Sequence, residues 1–496
     1  MPPAGAPGQY PAPAPPYPGS AGYPGAPATP YQGNPGIPTQ RTPQWPDFAP
    51  PTYQYPYNPA IAAERTSSKR VLLVAAAVFF VLALLGTVGV VVVAAHRAGV
   101  ETAADAAAPN APKTPATPFD TASAALEAQA AALIKGDEAG WLAVVDPGQS
   151  LLRTRYRTMY ASLRALGVTQ FEYHPFVQES KEKSATTVAM GVDITYCFSL
   201  DTCPSYADSE WQGAPRISQS LVLKPIGGRY LITSAGKAKE PNHLQPTPWE
   251  SGDLVFAQGK RVTVGAPKSE ASHLNQVLAI ADRAAAVNDR FAVYVNNPQK
   301  RYRIYLADNK AWRSWYGGET DKWIVAYTIP LNEAESDVVL QTSQLLGDSK
   351  LMATTIQHEL GHVVTLGAVH GGSSDDKNLW LIEGVAEYIG WSPSPATASW
   401  RRQSVREAVH GAHPPKSIAT KPLADNAGAR AGDTFYGLGH FAVDCMATKF
   451  GQRKMFEFVK LTLREGYGYE QASQEAYGKP FSSVDKACVS WIKAEA

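Results

Sequence analysis

Two histidines four residues apart, with a glutamate between them, are the first chemistry visible in this chain: His358-Glu359-Leu360-Gly361-His362. On a helix, positions i and i+4 project from one face about a turn apart, so both imidazoles can reach a single zinc ion. Glu359 projects near the same face. There it can take the proton of a water at the metal as general base and later deliver it to a leaving amine. The motif lies in an amphipathic segment, with Leu351, Met352, Ile356, Leu360 and Val363 available for packing. That periodicity predicts a helix through SKLMATTIQHELGHVVTLG, ending towards Gly371 and Gly372.

About twenty residues further on comes Trp380-Leu381-Ile382-Glu383-Gly384-Val385-Ala386-Glu387-Tyr388, read as a second helix with two carboxylates one turn apart. Taken together, HExxH and WLIEGVAEY resemble the gluzincin metallopeptidases, a clan that includes thermolysin and aminopeptidase N. The resemblance implies that Glu383 is the third zinc ligand beside His358 and His362. Glu387 would accept a hydrogen bond from a ligand histidine, fixing its ring and raising its basicity. Gly384 would let this helix pack closely against its neighbour. Three protein ligands leave a fourth position for water, as in catalytic zinc sites. Tyr436, in Asp433-Thr434-Phe435-Tyr436-Gly437-Leu438-Gly439-His440, is similar in placement to a tyrosine of aminopeptidase-N-like domains and is the candidate donor to an oxyanion. His440, one turn beyond, could share its face. His370, His410 and His413 fall in Gly- or Pro-rich stretches and read as loop histidines. By the same resemblance, Val338–Ser343 would be a sheet edge that binds an extended peptide as an added strand.

The resemblance covers roughly residues 250–496, and its specific part is Thr354–Tyr388 with the Tyr436 region. The chain also departs from the pattern. Twenty residues separate His362 from Glu383, more than the usual aminopeptidase N gap, and a loop insertion at Gly371–Asp376 would accommodate them. No GxMEN-type sequence is present to capture a free amine. The expected activity is therefore hydrolysis of peptide bonds in a peptide or protein substrate, by an endopeptidase rather than an aminopeptidase. A non-enzymatic cell-surface binding or regulatory protein on the same scaffold is the alternative.

The elements expected to position these groups give an α+β chain. Residues 119–240 read as a small α+β domain. Two helices, the second over Ser150–Leu166, precede four strands: VTQFEYHPFV, TTVAMGVDITYCF, ISQSLVLKPI and RYLITSA, with a hairpin at Gly227–Gly228. This order resembles the nuclear transport factor two superfamily, and no catalytic constellation falls in it. Residues 250–496 read as a mainly helical metallopeptidase domain with a small β-sheet. LNQVLAIADRAAAVNDRF is expected to be helical, then RYRIYLA, WIVAYTIP and VVLQTSQ to be strands, with helices afterwards.

The first 64 residues are Pro/Gly/Tyr-rich with little aliphatic content, which predicts a disordered cytoplasmic tail that could engage a cytoplasmic partner. Residues 71–95 carry no charge and are long enough to cross a bilayer as one transmembrane helix. Arg65, Lys69 and Arg70 precede the run, so the positive-inside bias places the N-terminus in the cytoplasm and the C-terminal domains outside a cell membrane. An Ala/Pro linker over 96–118 follows. With 45 Lys+Arg against 44 Asp+Glu, no nucleic-acid partner is indicated. Four cysteines in an exported chain suggest two disulfides. Of the three pairings, Cys197–Cys203 with Cys445–Cys488 keeps each bond within one domain.

Overall fold

The computed structural model describes residues 116–496, apart from 178–185, 199–202, 208–211, 240, 242–243, 320–323, 367–375 and 425–426. Helix α1 (Pro118–Lys135) starts at a capping box: Asp120 N donates to the Thr117 hydroxyl at 3.1 Å while Thr117 N donates to the Asp120 carboxylate at 2.9 Å. Gly136, at φ 77°, ends it in the left-handed conformation that glycine adopts without strain. After α2 (Glu138–Leu142) and α3 (Ser150–Ala165) the chain forms an antiparallel meander of β1 (Val168–Val177), β2 (Val188–Phe198), β3 (Arg216–Ile226) and β4 (Arg229–Lys237). Along β3, Ile217, Gln219, Leu221 and Leu223 are buried at every second position, the signature of a sheet with one covered face.

The second sheet has five strands in the order β5 (Leu254–Gln258), β6 (Val262–Pro267), β7 (Tyr302–Ala307), β9 (Ser336–Gln341) and β8 (Ala326–Pro330). The central strands β6, β7 and β9 are parallel, with α4 (Leu274–Ala292) connecting β6 to β7; the edge strands β5 and β8 run antiparallel to their neighbours. A parallel strand covered on both faces has no polar side, and β7, YRIYLA, is buried at all six positions. The pleat divides its side chains. Ile304, Leu306, Val338 and Leu340 join the helical core with Val277, Ile356 and Leu360. Tyr305, Val339 and Tyr327 join the core of the meander with Trp249 and Tyr196.

Between the two sheets lies a buried ionic group. Arg303 Nε donates to Asp337 Oδ1 at 2.6 Å and Nη1 to Glu335 Oε1 at 3.3 Å, and the Tyr316 hydroxyl donates to Asp337. Glu335 Oε1 also accepts from Phe198 N at 3.1 Å, which ties the end of β2 to the β8–β9 hairpin. Burial pushes the Glu335 carboxyl up to about 7, against the downward pull of Arg303.

Besides short helical turns at Pro248–Ser251, Asn309–Trp312 and Thr342–Leu345, the further helices are α5 (Ser349–Leu366), α6 (Leu379–Trp391), α7 (Arg402–His410), α8 (Ala429–Phe450), α9 (Gln452–Val459), α10 (Tyr469–Tyr477) and α11 (Phe481–Glu495). Both disulfides join the pairs named above: Cys197–Cys203, and Cys445 in α8 with Cys488 in α11.

Three expectations need correction. The fold class included one transmembrane helix; its segment, 71–95, lies outside the described residues, as does the tail before it, and no helix among the described residues is long and apolar enough to cross a membrane. The reason is visible in the longest of them, α8, where Arg430, Asp433, Asp444 and Lys449 interrupt the apolar face. The architecture stands as α+β with two sheets. The second sheet also has two more strands than expected, β5 and β6, which flank the Gly259-Lys260-Arg261 turn. Finally, Val338–Ser343 is not an edge: β9 is hydrogen-bonded on both sides, and the edge nearest the HExxH helix is β8.

Candidate metal centre

Helix α5 carries His358, Glu359 and His362, and its placement is set by backbone-directed amides from its neighbours. Asn288 Nδ2 of α4 donates to the Gln357 carbonyl at 3.1 Å. Asn297 Nδ2 donates to the carbonyls of Val363 and Val364 at 3.2 and 2.9 Å, satisfying acceptors that the helix end leaves open. Gln357 Nε2 in turn reaches the carbonyls of Ile389 and Ser392 at 2.6 and 2.9 Å, fastening α5 to the end of α6. The two helices cross closely: a Cβ on Gly390 would stand 3.0 Å from His358 Cβ.

Helix α6 is itself pressed against α8. A Cβ on Gly384 would stand 2.5 Å from the Gly439 carbonyl oxygen, and one on Gly439 would stand 2.7 Å from the Trp380 carbonyl oxygen. Only glycine at both positions allows the backbones to approach so far. This contact brings the Glu383 helix and the Tyr436 helix together.

The result is a buried group of three donors, His358, His362 and Glu383, whose ligand atoms all lie within 4.8 Å of one another and could hold a metal ion. His362 Nε2 is 3.0 Å from His358 Nε2, and Glu383 Oε2 is 3.4 Å from each of them. Glu383 is 1 % exposed, yet neither carboxylate oxygen meets a hydrogen-bond donor in good geometry. A buried carboxylate without donors is costly, and a cation shared with two imidazoles answers that cost. Burial pushes the Glu383 carboxyl up, but His362 and His358 outweigh it and hold it down to about 2.

Glu387 lies one turn later and faces two ways. Its Oε1 is 3.2 Å from His358 Nδ1, and its Oε2 accepts from Arg401 Nη1 at 2.9 Å. Burial opposes its charge, and Arg401 followed by His358 keeps it ionised, with a pKa of about 2. For His358, burial favours the neutral ring, but Glu383 and Glu387 carry its pKa up to about 10. Glu359 does not join the three donors. Thr328 Oγ1, on edge strand β8, lies 2.7 Å from Glu359 Oε2 and 3.0 Å from the Glu359 carbonyl oxygen, which fixes the carboxylate beside the donors.

Tyr436 is 3 % exposed, with its ring centroid 6.3 Å from that of His358. Burial raises its phenol well above the usual range, and the nearby Glu383 charge adds to this while Arg401 opposes it. His440 is buried one turn later beside Trp391, its ring centroids 6.4 Å apart, and neither of its ring nitrogens meets a hydrogen-bond partner. Burial lowers its pKa to about 4, so it is a neutral wall residue. His410 and His413 are exposed, and His370 lies outside the described residues.

Two neighbours of the site escaped the sequence. Thr328 sits on a strand 30 residues before the motif, and Arg401 is one of two consecutive arginines with nothing to distinguish it. Only the three-dimensional packing of β8 and of the turn before α7 reveals them. No family model matches this chain, and no curated protein does.

Proposed function

We propose that this protein is a zinc-dependent peptidase of the gluzincin type, hydrolysing internal bonds of peptides or proteins. The observation that carries the reading is the spacing of the three donors. Two ligands at ~2.05 Å from a tetrahedral zinc stand roughly 3.3–3.4 Å apart. The separations here are 3.0, 3.4 and 3.4 Å, and two imidazoles with one carboxylate form a catalytic zinc donor set.

His358, His362 and Glu383 would hold the ion. A zinc ion in that place supplies Lewis acidity, lowering the pKa of a water to about 7 and polarising a peptide carbonyl. Glu359, held by Thr328, takes the proton of the attacking water on its carboxylate and passes it to the nitrogen of the leaving amine. The Tyr436 phenol stays protonated because of its burial, so it can donate to the oxygen that becomes negative as the carbonyl is attacked. Edge strand β8, paired with β9 and carrying Thr328 beside Glu359, is where an extended substrate would add to the sheet. The two disulfides favour an oxidising, extracytoplasmic setting for the described residues.

The test is cleavage of an unbiased peptide library by the purified chain. Cleavage should disappear with a chelator and return on adding about one equivalent of Zn2+. Stoichiometric zinc without any cleaved peptide would instead support a binding protein on this scaffold.

A further inference from the structure

Arg401 ends the turn before α7, and its side chain is only 13 % exposed. It is held by groups from two different helices. Nη1 donates to Glu387 Oε2 of α6 at 2.9 Å, and Nε stands 3.3 Å from Asp433 Oδ1 of α8. The guanidinium also lies over two aromatic rings, with Cζ 5.3 Å from the ring centroid of Tyr436 and 5.2 Å from that of Trp400. The backbone fits as tightly as the side chain: a Cβ on Gly437, next to Tyr436, would stand 3.2 Å from Arg401 Cβ.

We propose that Arg401 is the positioning residue that couples the two working sides of the site, holding Glu387 behind His358 with one edge of its guanidinium and the Tyr436 ring with its face. The proposal rests on the peptidase reading for what Tyr436 does, but its metal arm stands without it. On the first side, Glu387 Oε1 stands 3.2 Å from His358 Nδ1, near enough to bias the ring, and Arg401 holds the other carboxylate oxygen. Supports of this kind typically change metal affinity by 10- to 100-fold. On the second side, the guanidinium over the Tyr436 ring restricts the ring that presents the phenol. A planar, delocalised cation can do both at once, and an ammonium group cannot. Asp433, one turn before Tyr436 on α8, adds a negative charge 3.3 Å from Nε.

The experiment uses the full chain with Zn2+ as the metal probe, its dissociation constant read by competition with a chromophoric chelator. kcat and KM are measured on the fastest-cleaved library peptide. Arg401→Met should weaken Zn2+ about tenfold and lower kcat about tenfold or more, with KM within about threefold. Combined with Glu387→Gln, it should weaken Zn2+ no further than Glu387→Gln alone; combined with Tyr436→Phe, it should lower kcat no further than Tyr436→Phe alone. Arg401→Lys should recover Zn2+ affinity to within a few-fold of the parent but not kcat, because the charge returns without the planar group over the Tyr436 ring.

A folded Arg401→Met protein with Zn2+ affinity and kcat within twofold of the parent overturns the proposal, as do additive effects in both double variants. If Arg401→Met does not fold, Arg401→Lys decides: both parameters kept, or both lost, overturns it. If the parent binds Zn2+ but cleaves nothing, the peptidase reading fails, while the Zn2+ affinities of the Arg401 and Glu387 variants still decide whether Arg401 positions the metal site.

Discussion

Replacing Gly384 with alanine should damage the metal site from a position that has no side chain of its own, next to Glu383 in the chain. The new Cβ would stand 2.5 Å from the Gly439 carbonyl oxygen, 2.7 Å from its carbonyl carbon and 3.0 Å from its Cα. Ordinary contact begins near 3.4 Å, so α6 and α8 must part by roughly 0.9 Å, all of it between backbones with no rotamer to relieve it. Alanine favours the helix by about 1 kcal/mol over glycine, while overpacking against backbone costs about 1–3 kcal/mol, so the net loss of stability is about 0–2 kcal/mol. The larger effect falls on the site. Helix α6 cannot retreat towards α5, because Gly390 already lies against His358 there. Either Glu383 moves relative to the two imidazoles or Tyr436 moves away on α8. A functional group tolerates only about 0.5 Å of misplacement, so Zn2+ affinity or kcat should fall at least tenfold. Denaturant unfolding with Zn2+ competition measures both. Gly252→Ala is the control, since no atom lies within 4 Å of its new Cβ. A Gly384→Ala protein matching that control in stability, metal affinity and turnover would refute the reasoning.

Thr328→Val removes the hydroxyl beside Glu359 Oε2 and should lower kcat about tenfold with the Zn2+ content unchanged, because a hydrogen bond to a charged group contributes about 1.5–3 kcal/mol; steady-state kinetics with metal analysis checks this. Glu335 gives a pH signature. Its folded pKa of about 7 lies above the ordinary carboxyl value of 4.5, so the folded state binds more protons between those values and stability falls as pH rises through them, by up to about 3 kcal/mol. Urea midpoints at pH 5 and pH 8 should show this fall, and Glu335→Gln should flatten it. Replacing both Cys445 and Cys488 with alanine should cost about 4 kcal/mol, and the same change at Cys197 and Cys203 about 2 kcal/mol, because the first pair closes 43 residues of chain and the second 6; unfolding curves of the two double variants give the order.

The sequence exposed those parts of the site that local periodicity encodes. The i, i+4 spacing of His358 and His362, and the one-turn spacing of Glu383 and Glu387, each place two side chains on one helical face, and such a face survives into the fold. The meander strands were legible as runs rich in β-branched and aromatic residues, with strict alternation along β3. What was hidden depends on contacts between segments distant in the chain. Strand β9 looks like any apolar run, and only its partners show that it is central and that β8 is the edge. Thr328 and Arg401 carry no pattern of their own. Each matters because a neighbouring element presents Glu359 or Tyr436 to it. Strands β5 and β6, on either side of the Gly-Lys-Arg turn, were not read from the sequence, although at five and six residues they match the lengths of β7, β8 and β9.

The most direct test of the account is a paired measurement on the parent chain and Glu359→Gln, both purified without chelator, with bound zinc counted and library cleavage assayed on each. Glu359 is not among the three donors, so the prediction is about one zinc per chain in both proteins, with cleavage in the parent and a loss of at least a hundredfold in the variant. Absence of zinc from the folded parent, or equal cleavage by the two proteins, would contradict it.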